Sequence, residues 1–232
     1  MAAPTTNPAL DQVPFSQALR ESTREAHDRA HHSAYMEALL AGSLTLAEYA
    51  RLATQYYFIY EAIERASDAM VDDPVGGPFV IDELRRLPAL TRDLEFLLGP
   101  DWRAELRPVP ATEEYVRRIQ AAAFDWPGGY VAHHYTRYLG DLAGGQVVRS
   151  LLARTYGITG PGALFYDFGA LGSPSAFRRR YRSRLDNADW DAAERVRIVA
   201  EVLLAFELNI AVLADLAATL DGRSGVGRLT PR

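Results

Sequence analysis

Apolar residues recur at helical spacing along almost all of this 232-residue chain, and no stretch shows strand-type alternation of useful length. A chain patterned in this way buries its apolar stripes helix against helix. The spacing predicts helices over about Pro14–His32, Thr45–Met70, 79–86, 88–98, Thr112–Phe124, Gly129–Tyr156, 174–186 and Asp189–Leu220. Thr45-Leu46-Ala47-Glu48 is a capping-box pattern, and Asp189 is a good N-cap. Proline and glycine break the chain at 73–78, at Gly99-Pro100 and at Trp126-Pro127-Gly128-Gly129. Residues 157–173 read as loop with one short turn around Gly162–Phe168. The expectation is one all-α domain of about seven or eight helices over residues 14–221, with flexible tails at 1–13 and 222–232.

One predicted helix carries an unusual load. Tyr135-Thr136-Arg137-Tyr138-Leu139-Gly140-Asp141-Leu142-Ala143-Gly144-Gly145-Gln146 places three glycines within six residues. Each glycine destabilises a helix interior by about 0.5–1 kcal/mol relative to alanine, so the set costs on the order of 2–3 kcal/mol. Gly140 and Gly144 are four apart and share a face, with Asp141 at its border. Two readings follow. The bare backbone receives a large planar ligand, or it lets another helix cross closely. Arg137 and Asp141, also four apart, fit an ordinary helical ion pair as well.

The rest of the composition narrows the chemistry. A net charge of −5 argues against nucleic acid as the main partner. With no cysteine there are no disulfides, thiolate metal sites or thiol nucleophiles, which fits a reducing cytoplasm. No run of about 18 apolar residues exists, so no membrane span is expected, and residues 1–13 lack the pattern of a signal peptide. The nucleophile-elbow, phosphate-loop and dinucleotide fingerprints are missing.

On the first predicted helix, Arg24, His27 and His31 lie at about +40°, −20° and +20° from Arg20. Two guanidiniums and two imidazoles therefore share one narrow stripe roughly 16 Å long. The five histidines, at 27, 31, 32, 133 and 134, show no zinc-type spacing with acidic companions. A single imidazole flanked by cations suits a metal carried inside an anionic cofactor better than a bare ion. A second cationic set lies in the basic helix, where Arg178 and Arg182 are one turn apart and Arg180 and Arg184 occupy another face.

The motif from Tyr135 to Gln146 closely resembles the signature of biliverdin-producing haem oxygenases. Ser22-Thr23-Arg24-Glu25-Ala26-His27 with Met36 downstream, Tyr181-Arg182-Ser183-Arg184-Leu185, and Ala205-Phe206-Glu207-Leu208-Asn209-Ile210 resemble further segments of that family, in its order, across residues 14–216. The resemblance implies a domain that holds haem, iron protoporphyrin IX, between the first helix and the glycine-rich distal helix. Haem is then both cofactor and substrate, dioxygen the co-substrate, and the products biliverdin, carbon monoxide and ferrous iron. By the same resemblance His27 is the iron ligand, and Arg20, Tyr135, Arg178 and Arg182 attend the propionates. Gly140 and Gly144 lie over the distal face, Asp141 and Arg137 order distal water, and Phe206 and Asn209 line the pocket. Electrons come from a donor such as a ferredoxin or flavoprotein reductase. Two departures stand out. His31 occupies the place where many members carry glutamate, and arginines stand at propionate positions where lysine is common. The rival readings are a non-catalytic haem-binding carrier or sensor of the same fold, an enzyme of the thiaminase-like group, and an interaction domain whose glycines only pack helices.

Overall fold

A computed structural model describes residues 13–221. The predicted tails, apart from Val13, lie outside the described residues. Among the described residues the chain forms α-helices, short 3₁₀ turns and one π turn, with no strand. The helices are α1 (Phe15–Ser22), α2 (Arg24–His31), α3 (Ala34–Leu40), α4 (Leu46–Met70), α5 (Leu87–Leu98), α6 (Trp102–Glu105), α7 (Pro110–Ala122), α8 (Pro127–His134), α9 (Gly140–Tyr156), α10 (Pro174–Asn187) and α11 (Ala192–Asp221). All-α architecture is thus as expected, and the extra segments come from breaks in predicted helices and from short helices in predicted loops.

α4 is the centre of the domain. Its start is fixed by the predicted capping box, in which Thr45 accepts from the Glu48 backbone N–H and the Glu48 carboxylate accepts from the Thr45 N–H at 2.7 Å. Sixteen of its 25 residues are buried, so it is walled on most sides rather than on one stripe. α5, α7 and α8 pack against it, while α11 packs across α2, α3, α7 and α8. The core runs through aromatic side chains such as Tyr49, Tyr60, Tyr115, Tyr138 and Tyr181, each almost wholly buried.

Three expectations change in detail. The helix from Pro14 to His32 bends at Thr23 (φ −103°, ψ 2°), whose hydroxyl donates to the Leu19 carbonyl at 2.8 Å. Such back-bonding draws a carbonyl out of the helical ladder and bends the axis. The expected helix over 79–86 is replaced by 3₁₀ turns at Gly77–Phe79 and Asp82–Leu84. Here the Arg86 guanidinium takes the carbonyls of Leu84 (2.8 Å) and Glu83 (2.9 Å), and the buried Glu64 carboxylate accepts the N–H groups of Arg86 and Leu87. Groups that would continue a helix are thereby spent on side chains. Finally, Asp189 does not cap α11. Asp191 does, accepting from the Glu194 N–H at 2.7 Å.

Two of the five histidines are core groups. His133 Nε2 lies 3.0 Å from Glu201, and His134 Nδ1 lies 2.8 Å from the Tyr181 hydroxyl with the two rings stacked. Burial, helped by Arg184, pushes His134 down to about 3. An unfolded histidine titrates near 6.5, so between these values the unfolded chain binds a proton that the folded chain refuses. Stability is therefore full above about pH 7 and declines as the pH falls from about 6.5 toward 3. Thermal denaturation across that window is expected to show Tm falling with acid, with a shallower slope in His134→Phe. An unchanged slope would place the titration elsewhere.

Candidate functional site

The helix predicted from Gly129 to Tyr156 is one continuous run of α8, a π turn over Tyr135–Leu139, and α9. A π turn accommodates one extra residue per turn and recurs at functional sites. This one delivers Tyr135, Thr136 and Arg137 to the site and leads directly into Gly140.

The glycines divide between two tasks. A Cβ built on Gly140 or Gly144 meets no atom within 4 Å, whereas one on Gly145 comes within 3.1 Å of the Tyr166 ring. Helix crossing therefore explains none of the bareness at Gly140 and Gly144. Their backbone is a wall of open space, while Gly145 lets the 164–166 turn sit close. That turn is held from beneath by Asp93 of α5, whose carboxylate accepts from the N–H groups of Gly162 (2.7 Å), Leu164 (3.0 Å) and Phe165 (2.7 Å).

Two adjoining cavities share the Gly140 wall. The first, about 380 Å³, lies between α2, α9 and α11, with His27 and His31 opposite Gly140, Gly144 and Asp141, and with Phe206 and Asn209 at one side. The second, about 500 Å³, opens beside it and is bordered by Arg20, Arg24, Tyr135, Arg178 and Arg182. His27, Thr136, Gly140, Ala143 and Phe206 belong to both, so the two are one slot with an apolar end and a cationic end. Every residue given a role by the resemblance borders one cavity or the other, whereas Arg180 and Arg184 line a separate cavity. The bend at Thr23 does not scatter the stripe of α1 and α2, because Arg20, Arg24 and His27 still face the same space. Tyr135 is half-buried among these cations. Burial raises its pKa, and Arg182 and Arg20 oppose the rise.

His27 is exposed on α2, with Nδ1 3.3 Å from the Asp28 carboxylate. Phe206 presents an edge contact to its ring at 6.2 Å between centroids. Arg29 and Glu207 form an ion pair that fastens α2 to α11 beside it. A neutral imidazole whose Nδ1–H faces a carboxylate leaves Nε2 free to ligate a metal.

On the facing wall, Asp141 accepts a hydrogen bond from Tyr60 of α4 and lies 3.4 Å from Arg137. Arg137 also donates to the Asn209 side chain at 2.5 Å and stacks over Tyr56, 4.6 Å from its ring. This is far from a surface ion pair, since Arg137 is only 5% exposed. Burial raises the Asp141 pKa above the usual carboxylate range, with Arg137 and the Tyr60 hydrogen bond resisting. Burial likewise opposes the charge on Arg137, but Asp141 and the surrounding tyrosine hydroxyls hold that charge firmly. The Arg137 Nε is buried with no protein partner, which fits water entering this corner. The arrangement is an acid able to exchange a proton, oriented on both sides and aimed at the slot.

Sequence reasoning did not find Tyr60, Tyr56 or Asp93. They sit on helices far along the chain from the motif, and each looks locally like a core or surface residue. Only the fold brings them to it.

The family model described as "Heme oxygenase" matches residues 13–215. The chain is 38% identical over 223 residues to a heme oxygenase of Takifugu rubripes, covering 94% of this chain and 80% of that one. It is 37% identical over 205 residues to heme oxygenase 1 of Gallus gallus, covering 87% and 69%. Among solved structures, heme oxygenase-1 of Synechocystis in complex with heme superposes with a TM-score of 0.87 at 32% identity, covering 92% of this chain and 96% of that one. The heme oxygenase of Leptospira interrogans gives 0.83 at 33% identity, covering 88% and 100%.

Proposed function

The chain belongs to the haem oxygenase family, and from that premise we propose that the slot between α2 and α9 holds haem while dioxygen and external electrons open its ring. The enzyme is a haem oxygenase, with haem as both cofactor and substrate and biliverdin, carbon monoxide and ferrous iron as products. The observation that carries the site assignment is the open wall at Gly140 and Gly144, where any Cβ would project into the slot.

The residues present fit the group. His27 offers an imidazole for the iron, and the backbone of α9 lets a planar ring lie close. Arg20, Arg178 and Arg182, with Tyr135, supply guanidinium and hydroxyl donors matched to two carboxylates. Bound haem supplies dioxygen activation, and the protein supplies position and protons. Arginines at the cationic end, with Phe206 bordering both cavities, would set how the plane is turned and so which ring position faces the distal wall. Asp141, raised by burial and tied to Tyr60, holds water and passes a proton toward dioxygen, and Arg137 and Asn209 keep that carboxylate in place. In this reading the proton passes from Asp141 through water that it orders.

The electron donor is of the ferredoxin or flavoprotein-reductase type, and the setting is cytoplasmic in this reading. No helix of the described residues is long and apolar enough to cross a membrane.

Aerobic haem titration followed by reductant tests the reading. A sharp Soret band that bleaches into a biliverdin spectrum with release of carbon monoxide is expected. A persistent oxy complex would instead mark a carrier or sensor. His27→Ala is expected to retain weak haem uptake through the arginines, lose the axial-ligand spectrum and fall to background turnover, with added imidazole restoring part of both. Full turnover without imidazole would refute the ligand assignment.

A further inference from the structure

We propose that His27 and His31 together form a two-imidazole site for a divalent transition-metal ion, and that the ferrous ion set free by ring opening leaves through it. The inference rests on the reading of the slot given above and extends it to the fate of the metal.

The two residues are four apart on α2, so their side chains rise from the same face one turn from each other. Their rings are parallel to within 4°, with centroids 6.5 Å apart, and both border the same cavity. Histidines at this helical spacing can close on one metal ion. The Asp28 carboxylate beside His27 Nδ1 favours the tautomer whose other nitrogen is free for a metal, the arrangement found around ligating histidines. His31 has ring contacts with His27 and His32 but no hydrogen-bond partner among the described residues, so its nitrogens are uncommitted. Both rings are exposed and can swing toward one another without displacing the core.

The ion class follows from the donors. Imidazole suits ferrous iron, cobalt, nickel, copper and zinc, and it discriminates against magnesium and calcium. Among the described residues no group of three or more histidine, aspartate or glutamate side chains gathers for a metal. Water therefore completes the coordination shell, and the site is a way-station rather than a store. A ferrous ion that loses the nitrogens of an opened tetrapyrrole still has the His27 imidazole, and His31 offers a second one a single turn away. Haem and the free ion compete for His27, so the two occupancies exclude each other.

The test is titration of the haem-free full chain with cobalt(II), followed by its visible absorption. One site per chain is expected. Its affinity should fall by at least about ten-fold in His31→Ala and in His27→Ala, and further in the double variant, which keeps neither imidazole. One equivalent of haem should expel the cobalt. Wild-type affinity in His31→Ala, or cobalt retained alongside haem, would overturn the proposal. A chain that takes up haem and turns it over but binds no cobalt would sink this inference and leave the assigned activity standing. A chain that takes up no haem would sink both.

Discussion

Replacing Asp141 by asparagine is expected to leave haem uptake within a few-fold of normal and to lower single-turnover biliverdin formation by about 10²–10⁴-fold, the range for loss of a positioned proton donor. Asparagine keeps the size of the side chain and can still accept from Tyr60, so the wall retains its shape. It cannot exchange a proton, and it no longer neutralises Arg137. That guanidinium is buried and keeps only Asn209 and the faces of Tyr56 and Tyr60. Removing one member of a buried ion pair typically destabilises by about 3–5 kcal/mol. The Asn209 contact offsets part of that, so a drop in Tm accompanies the drop in rate. Tyr60→Phe removes one hydrogen bond to Asp141 while keeping its charge. That variant is expected to lose a smaller part of the rate and a smaller part of the stability, about 1.5–3 kcal/mol. Turnover within three-fold of normal in Asp141→Asn would refute the proton-delivery role.

Leucine at Gly140 and leucine at Gly145 are expected to fail in opposite ways. At Gly140 the new side chain meets open space, so the free protein folds and gains helix propensity of up to about 1 kcal/mol. It then fills the slot, and haem titration should show affinity reduced by two orders of magnitude or more, with Tm unchanged or raised. At Gly145 the first added carbon already presses on Tyr166, and a leucine must displace the turn that Asp93 pins. Overpacking of this kind costs about 1–3 kcal/mol, so Tm falls, and although Gly145 and Tyr166 also border the first cavity, haem uptake weakens less than in Gly140→Leu. Equal behaviour of the two variants would mean that the glycines share a single role.

The positions of these residues show what a linear reading can reach. Gly140, Asp141 and Gly144 are legible because their relation is set by one helix, and helical geometry is known in advance. The same holds for Arg20, Arg24 and His27, although the bend at Thr23 was invisible because threonine is ordinary in helices. Helical geometry alone pairs Arg178 with Arg182, and only the family resemblance joined them to Tyr135, since α10 reaches that helix through the packed core. Tyr60 lies 81 residues from Asp141, and nothing in the α4 sequence separates it from Tyr56 or Tyr49. The helix expected over 79–86 gives way to 3₁₀ turns because Arg86 and Glu64 claim backbone groups through tertiary contacts. Asp189 and Asp191 both have capping chemistry, and the Asp191 side chain reaches the Glu194 N–H. α3, between Ala34 and Leu40, was missed because seven residues hold too few repeats to display a period.

The π turn over Tyr135–Leu139 has a consequence for inheritance. One surplus residue in that stretch advances every later side chain on α9 by about 100° around the axis. Without it, the face bearing Gly140 and Gly144 would turn about 100° away from the slot and a neighbouring face would take its place. Substitutions along α9 can be accepted or rejected one at a time, but a single-codon deletion between 135 and 139 would rotate the whole distal surface at once. The length of this helix is therefore under tighter constraint than its composition, and its descendants can vary letters there far more freely than they can change the count.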